Sequence, residues 1–331
     1  MKSPITGKEM KLQKEHRKLI FRKEEFKIIY HYYVCEDSGK KFENEELANY
    51  NIVQVQNRYR EAHNLPFVSD IKRTRMKYDL SARKMSEVLG FGTNTYRSYE
   101  TGEVPSDANG KLIQIADDED EFIKLVQKAG NLTPKEKSKI FRKIEAIVAE
   151  KKAENLTPID LFYSGEPSIF NGYSNLNLNK AFAIIRYYSR ELSPWKIQLN
   201  KLLFYTDFHS FKTFGYSLTG LQYNALPHGP APNWYETLFD LTEKRGYVIK
   251  EYKNLKNGHE GEIFHPTEEH ERILNQLTPE EVDILELIKG TYGKLKPCEI
   301  SEHSHKELGW IENKGKTGKI SYEYSFDLIP I

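Results

Sequence analysis

The sequence predicts an α+β protein that is predominantly α, with a small β ribbon, a helix-turn-helix domain and a mostly helical C-terminal domain with a short β element. Residues 17–42 are rich in β-branched and aromatic side chains, interrupted at Glu24-Glu25, which favours two short paired strands. Two helix starts combine a threonine, a proline and a glutamate three residues after the threonine, at Thr133 and Thr278. Short helices separated by glycine turns fill the stretch before Thr133.

The composition narrows the possible functions before any motif is considered. The chain has 331 residues with 49 basic and 48 acidic side chains, a net charge of +1, so any nucleic-acid affinity must come from a local patch. A mean hydropathy of -0.67 and short apolar runs argue against a membrane span. The two cysteines, Cys35 and Cys298, cannot form a disulfide framework or a four-thiolate metal site. The N-terminus lacks the apolar run of a signal peptide, so we expect a cytoplasmic protein without membrane contact.

Helix boundaries and a change in composition divide the chain into four segments. A helix predicted from Glu45 to Ala62 stops before Asn64-Leu65-Pro66, because the residue before proline is disfavoured in helices. The stretch 155–179, rich in Asn, Ser, Gly and Pro, is typical of a connection between domains. The segments are a ribbon-like subdomain at 1–62, a helix-turn-helix domain with its following helix at 65–152, a linker at 153–169 and a C-terminal domain at 170–331.

The helix that starts at Thr133 has one apolar face, which requires a partner. A dimer seam or a contact between domains could cover it. The residues of this face are Ile140, Phe141, Ile144, Ile147 and Val148.

Residues 80–102 carry the most informative pattern, a helix, a tight turn and a second helix. Ser81 is a predicted N-cap and Gly90 permits a left-handed turn. Tyr96 and Tyr99 lie on one side of the second helix, which leaves polar side chains facing outward. Asn can pair with adenine, Arg with guanine, and the Thr methyl can contact a thymine methyl.

We therefore predict that this segment binds operator DNA. From 71 to 102 there are seven basic and three acidic residues, the local basic patch that the composition requires. A solvated helical hairpin is the alternative. Because such domains read two half-sites, we expect a homodimer on a palindromic operator. The predicted DNA-binding residues are Arg83, Lys84, Thr93, Asn94, Thr95, Arg97 and Ser98, with Lys84 expected to contact phosphate.

Residues 1–129 resemble the MqsA-type antitoxins, whose N-terminal half is a zinc ribbon with two paired-cysteine knuckles. The knuckle segments read SPITG at 3–7 and CEDSG at 35–39, so three of the four thiolates are absent. Hydroxyl groups are poor zinc ligands, and we therefore expect no metal and no cofactor. Packing of the aromatic strands would then hold the ribbon, with Cys35 as a core residue.

The C-terminal segments 201–208 (KLLFYTDF), 221–232 (LQYNALPHGPAP) and 296–310 (KPCEISEHSHKELGW) resemble the Panacea, or SocA-like, antitoxin domain. The resemblance begins near residue 170 and implies a domain that binds and neutralises a protein toxin encoded beside it. The residues alone also allow the prolines simply to turn a corner between a strand and a helix, and we expect 225–232 to be irregular because three prolines remove hydrogen-bond donors. The predicted toxin-binding residues are Tyr223, Pro227, His228, Gly229, Pro230, His305 and Trp310.

Catalysis is not expected, because no nucleophile elbow, P-loop or His-Glu-x-x-His motif is present. The histidine-containing segment 258–262 is predicted to be a solvated loop. We therefore expect an autoregulating antitoxin of a type II toxin-antitoxin system. Two other functions stay open at this point: a transcriptional regulator whose C-terminal domain senses a small molecule or peptide, and an adaptor that delivers a client to a protease.

Trp195, Trp234 and Trp310 are expected in the core, and as interface anchors only if exposed.

Overall fold

The computed structural model describes residues 1–153, 165–254, 260–315 and 318–329. The chain divides into two compact units, Met1–Asn155 and Leu156–Ile331. About half of the chain is helical and the sheets are small and antiparallel, which confirms the predicted fold class. Most of the predicted linker, 154–164, lies outside the described residues. Within the described ranges, no helix combines the length and the apolar character needed to cross a membrane.

The first unit begins with a three-stranded sheet in the order β1, β2, β3, with strands Lys11–Phe21, Glu24–Val34 and Lys41–Phe42. The turn between β1 and β2 is Arg22-Lys23, both with positive φ, so the strands are longer than predicted and Glu24-Glu25 belongs to β2. Helix α1, Glu45–Ala62, has the predicted bounds, and its Asn51 side chain bonds the backbone of β2 at His31.

Six further helices complete the first unit around one apolar core. They are α2 Val68–Lys77, α3 Ala82–Leu89, α4 Thr95–Glu100, α5 Asp107–Ile115, α6 Glu119–Lys128 and α7 Pro134–Ala153. The capping box at Thr133 and Glu136 is confirmed. Ile140 and Ile144 of α7 are buried in the same core as Met85 of α3, so a neighbouring part of the same unit covers the apolar face of α7.

The second unit is a helical layer with two small sheets. Its helices are α8 Leu178–Leu192, α9 Lys196–Phe214, α10 Tyr235–Lys244, α11 Pro279–Tyr292, α12 Pro297–Ser304 and α13 Leu308–Asn313. Two 3-10 helices lie at Glu271–Gln276 and Tyr322–Asp327. Strands β4 Tyr223–Leu226, β5 Gly229–Pro232 and β8 Lys319–Ile320 form a sheet in the order β5, β4, β8. Strands β6 Val248–Asn254 and β7 Glu260–Pro266 form a second sheet. Helix α9 is buried along most of its length and is the centre of this unit.

The expectation that residues 225–232 are irregular is wrong, because they form most of the β4–β5 hairpin. The N–H of Ala225 bonds Gly318 on the β8 side, so Ala225 and its partner Pro230 form a pair without hydrogen bonds between β4 and β5. The nitrogen of Pro230 therefore faces away from β4, and Pro232, two residues on, faces the same way. Prolines fit a strand at the edge of a sheet when no ladder hydrogen bond is lost.

The solvated loop predicted at 258–262 is also partly wrong. Residues 260–262 begin β7, in register with Lys253 and its neighbours on β6, while 258 and 259 lie outside the described residues. On β6, Ile249 and Tyr252 are exposed while the charged Lys250 is buried, so the strand has no regular alternation of apolar and polar residues that the sequence could reveal.

Candidate functional site

The four positions of the predicted knuckles, Ser3, Thr6, Cys35 and Ser38, lie together in the fold. The hydroxyl of Ser3 donates to the Cys35 sulfur at 3.2 Å, and the Thr6 hydroxyl lies 3.6 Å from the same sulfur. Hydrogen bonds from Ser3 and Ser38 lower the pKa of the Cys35 thiol to about 6, although the residue is buried. Gly7 and Gly39 both have positive φ at the knuckle turns. These side chains thus form a hydrogen-bonded cluster around Cys35, which lies in the core as predicted.

We expect elemental analysis of protein purified without a metal-affinity tag to find far less than one zinc per chain. The described residues contain no group of three or more His, Cys, Asp or Glu side chains placed to hold a metal ion. A chelator should therefore leave the melting temperature unchanged. Stoichiometric zinc, or a drop in melting temperature with chelator, would contradict this prediction.

The predicted DNA-reading segment folds as α3, a turn and α4. The Ser81 side chain accepts from the N–H of Lys84, and Gly90 ends α3 with a φ of 71°. Tyr96 is fully buried, and its hydroxyl donates to the Ile71 carbonyl at 2.7 Å, which fixes α4 on the core. Asn94 precedes α4 without using its side chain as a cap, so its amide is available to a ligand.

The seven predicted DNA-binding residues lie on and around this turn. Arg97, Thr93 and Asn94 are exposed, and the Arg97 guanidinium forms no ion pair with the described residues. Thr95 and Ser98 are half-buried beside them. On α3, Arg83 is exposed and pairs with Glu87, while Lys84 is half-buried.

Most of the basic patch counted in the sequence is neutralised in the fold. Lys84 lies 2.8 Å from Glu136, Lys77 lies 2.8 Å from Glu119, and both carboxylates come from outside the 71–102 window. The other basic residues of this window that pair with carboxylates are Arg73, Arg75 and Arg83. The net charge available to phosphates is consequently smaller than the sequence suggests, and Arg97 is the main basic group on α4.

Two arginines fix the chain where it leaves α4. Arg60 of α1 is buried and donates to the Gly102 carbonyl at 2.8 Å, and burial and the nearby Arg22 lower its pKa to about 10. Arg22, from the β1–β2 turn, donates to the carbonyls of Val104 and Pro105. The sequence analysis missed both arginines, because neither lies near the helical motif in the chain.

In the second unit, three side chains hold the β4–β5 hairpin by its carbonyl oxygens, and we call them, together with His305, which stacks on Trp310, the turn clamp. The Trp310 indole N–H donates to Leu226 at 2.8 Å, the Ser301 hydroxyl to His228 at 3.2 Å, and the Lys201 ammonium to Pro230 at 2.8 Å. These bonds fix the turn and occupy the carbonyls of Leu226 and His228.

The charges of the turn clamp are unusual because no carboxylate balances them among the described residues. Lys201 is 2% exposed, and burial lowers its pKa to about 7. Burial also lowers the pKa of His305, as do Lys201, His228 and Lys314. The His305 ring stacks on Trp310 at 4.2 Å between ring centroids, and Lys314 lies 4.7 Å from the indole.

Two buried carboxylates lie at α9: Asp207 is part of the helix, and Glu307 contacts its Tyr205. Asp207 accepts hydrogen bonds from the Thr219 backbone and from the Tyr223 hydroxyl, while burial raises its pKa to about 6. Glu307 accepts from Tyr205, and burial raises its pKa to about 7. Both carboxylates support the loops and the C-terminal segment that surround the hairpin.

The predicted toxin-binding residues fall into an accessible set and a buried set. Pro227 and His228 are exposed at the turn, and His305 and Trp310 are half-buried beside it. Tyr223, Gly229 and Pro230 are buried, so they support the hairpin and do not present a surface. We call the accessible residues, together with the exposed Lys314, the turn surface. Lys201, Ser301 and Lys314 were missed, although a lysine inside the apolar segment 201–205 was a visible signal.

Comparison with known protein families assigns an antitoxin-like domain to the second unit. The matching family is the antitoxin SocA-like, Panacea domain, and the match covers residues 199–311. This range contains every side chain of the turn clamp, so the predicted resemblance is confirmed there. No curated protein and no solved structure matches the chain significantly. The resemblance of residues 1–129 to MqsA-type antitoxins stays a prediction.

Proposed function

We propose that this protein is an antitoxin that binds its toxin through the second unit and its own operator through the first. The observation that carries the proposal is the antitoxin-like domain at 199–311, whose turn clamp holds a rigid, accessible surface. A rigid surface lowers the entropic cost of binding a protein partner. The protein would act by binding and without catalysis.

The operator-binding half of the proposal is supported by α3, the glycine turn and α4. The buried Tyr96 fixes α4, and the two groups best suited to base edges, Asn94 and Arg97, are accessible. We propose that two copies bind a palindromic site with half-site centres separated by whole helical turns.

We expect Arg97→Ala and Asn94→Ala each to cost about 1–3 kcal/mol of binding to the DNA upstream of the protein's own gene. Each variant should also lose discrimination against a scrambled duplex, because the removed group would contact a base edge. Fluorescence anisotropy with both duplexes at several salt concentrations measures the affinity and the number of phosphate contacts.

Lys84→Ala provides the matched control for these variants. Glu87 and Glu136 already pair with the Lys84 ammonium, so its removal is expected to change affinity little and similarly on both duplexes. Equal losses for all three variants on operator and scrambled DNA would contradict the groove assignment.

The division of labour between the two units can be tested by truncation. Residues from about 170 onward should neutralise a toxin encoded in an adjacent reading frame without binding DNA, and residues 1 to about 152 should bind DNA without neutralising. The measurement is growth rescue during toxin expression, with circular dichroism showing that each fragment is folded. Rescue of growth by residues 1 to about 152, with no rescue by the folded C-terminal fragment, would reverse the assignment.

A further inference from the structure

We infer that the turn surface recognises an acidic segment of its protein partner through His228, His305 and Lys314. This inference rests on the proposed toxin-binding function and adds the chemistry of the partner's contact. The three residues surround Trp310: His305 stacks on its indole, Lys314 lies over the same indole, and His228 is at the turn that the indole N–H holds through Leu226.

The first argument is the absence of neutralising charge. Some lysines of the second unit pair with carboxylates, as Lys180 does with Glu281 and Lys289 with Glu286. His228, Lys314 and the buried Lys201 form no ion pair with any carboxylate of the described residues. A surface of one sign that the fold leaves unbalanced is complementary to an acidic partner and steers its association.

The second argument concerns which groups of the turn are available to bind a partner. Its carbonyls at Leu226 and His228 are occupied by the clamp, so a partner cannot pair with them as an added strand. The nitrogens of Pro230 and Pro232 have no hydrogen to donate. Side chains must therefore carry recognition, and the accessible ones are basic or aromatic. A carboxylate can accept from His228 and Lys314 while apolar atoms next to it contact Pro227 and Trp310.

The third argument is the protonation state of the His305 ring. Its Nε2 atom is buried and has no hydrogen-bond partner among the described residues. The charged groups that act on this ring are Lys201 from α9, His228 from the turn and Lys314 beyond α13, and all of them disfavour its protonation. A carboxylate placed at the turn surface would favour the protonated ring. Binding should therefore take up a proton and become tighter as the pH falls from about 8 to about 6.

The first experiment titrates the full chain with a glutamate octapeptide and, as a control, with a glutamine octapeptide. Ring signals of His228 and His305, assigned with His228→Gln and His305→Gln, are followed by NMR. We expect only the glutamate peptide to shift both signals and to raise their apparent pKa values. Lys314→Glu should abolish the effect. Lys244→Glu, at an exposed lysine on α10, should preserve it.

Three results would overturn the acidic contact. They are no shift with the glutamate peptide, an equal loss for Lys314→Glu and Lys244→Glu, or a stronger shift with a single-stranded oligonucleotide than with the glutamate peptide. The last result would mean that the turn surface recognises phosphate on nucleic acid.

The second experiment measures toxin affinity and separates this inference from the proposed function. We expect Lys314→Glu to weaken the complex at least about tenfold, Lys244→Glu to change it less than about twofold, and affinity to fall from about 50 to about 300 mM salt. A wild-type complex that Lys314→Glu leaves intact would overturn the acidic contact and leave the proposed function standing. Failure of the wild-type chain to bind the toxin would contradict the proposed function, and the peptide titration would then decide the acidic contact alone.

Discussion

Gly229→Ala is expected to destabilise the second unit by about 3 kcal/mol and to abolish toxin neutralisation. Gly229 has a φ of +94°, a conformation that alanine adopts only with strain. A Cβ atom at this position would lie 2.3 Å from the Ser304 hydroxyl and 2.9 Å from Cε of Lys201, both of them buried. Because α9 and α12 hold these neighbours, the turn must move, and the clamp should break with it.

Urea unfolding followed by tryptophan fluorescence measures this effect on the second unit alone. All three tryptophans, Trp195, Trp234 and Trp310, lie in that unit. Gly290→Ala is the matched control, because Gly290 is in α11 and its Cβ would meet no atom within 4 Å. That variant is expected to be more stable than the wild type by up to about 1 kcal/mol. Equal unfolding midpoints for Gly229→Ala and the wild type would show that the turn tolerates a side chain.

The sequence predicted the features whose causes are local. The bounds of α1 and the caps at Ser81, Gly90 and Thr278 depend on a few adjacent residues, and all are confirmed. The β4–β5 hairpin could not be predicted in the same way. Whether a proline costs a ladder hydrogen bond depends on which side of the strand its nitrogen faces, and the pairing of Ala225 with β8 and Pro230 decides this.

Prediction of the candidate sites was likewise limited by contacts between residues that are distant in sequence. The surplus of basic residues at 71–102 was a count within one window, and the fold brings Glu119 and Glu136 from outside it. Conversely, the turn and the segment around Trp310 were identified through a family resemblance, and the structure supplies the contact between them. Residues that are far apart in sequence, such as Lys201 and Pro230, meet only in the folded unit. Patterns of neighbouring residues therefore could not predict the turn clamp.

Lys201→Met is expected to change the pH dependence of the second unit's stability. The folded-state pKa of Lys201 is about 7, below its ordinary value of 10.5, because the ammonium is buried against a single carbonyl. Between these two values the unfolded chain binds a proton that the folded chain does not, so wild-type stability rises with pH. From pH 7 to pH 9 this group should contribute a gain of about 2 kcal/mol, which methionine cannot provide.

The measurement is the difference in unfolding free energy between the two proteins, from the same tryptophan signal at pH 7, 8 and 9. Titration of other groups, including Glu307 and Asp207, is common to both proteins and cancels in that difference. Methionine fills the same space but leaves the Pro230 carbonyl without a donor, which sets a constant offset of about 1–3 kcal/mol. The unfolding free energy of the wild type, relative to that of the variant, should therefore rise at each step in pH. A difference that stays constant from pH 7 to pH 9 would mean that the Lys201 ammonium keeps its proton in the folded protein.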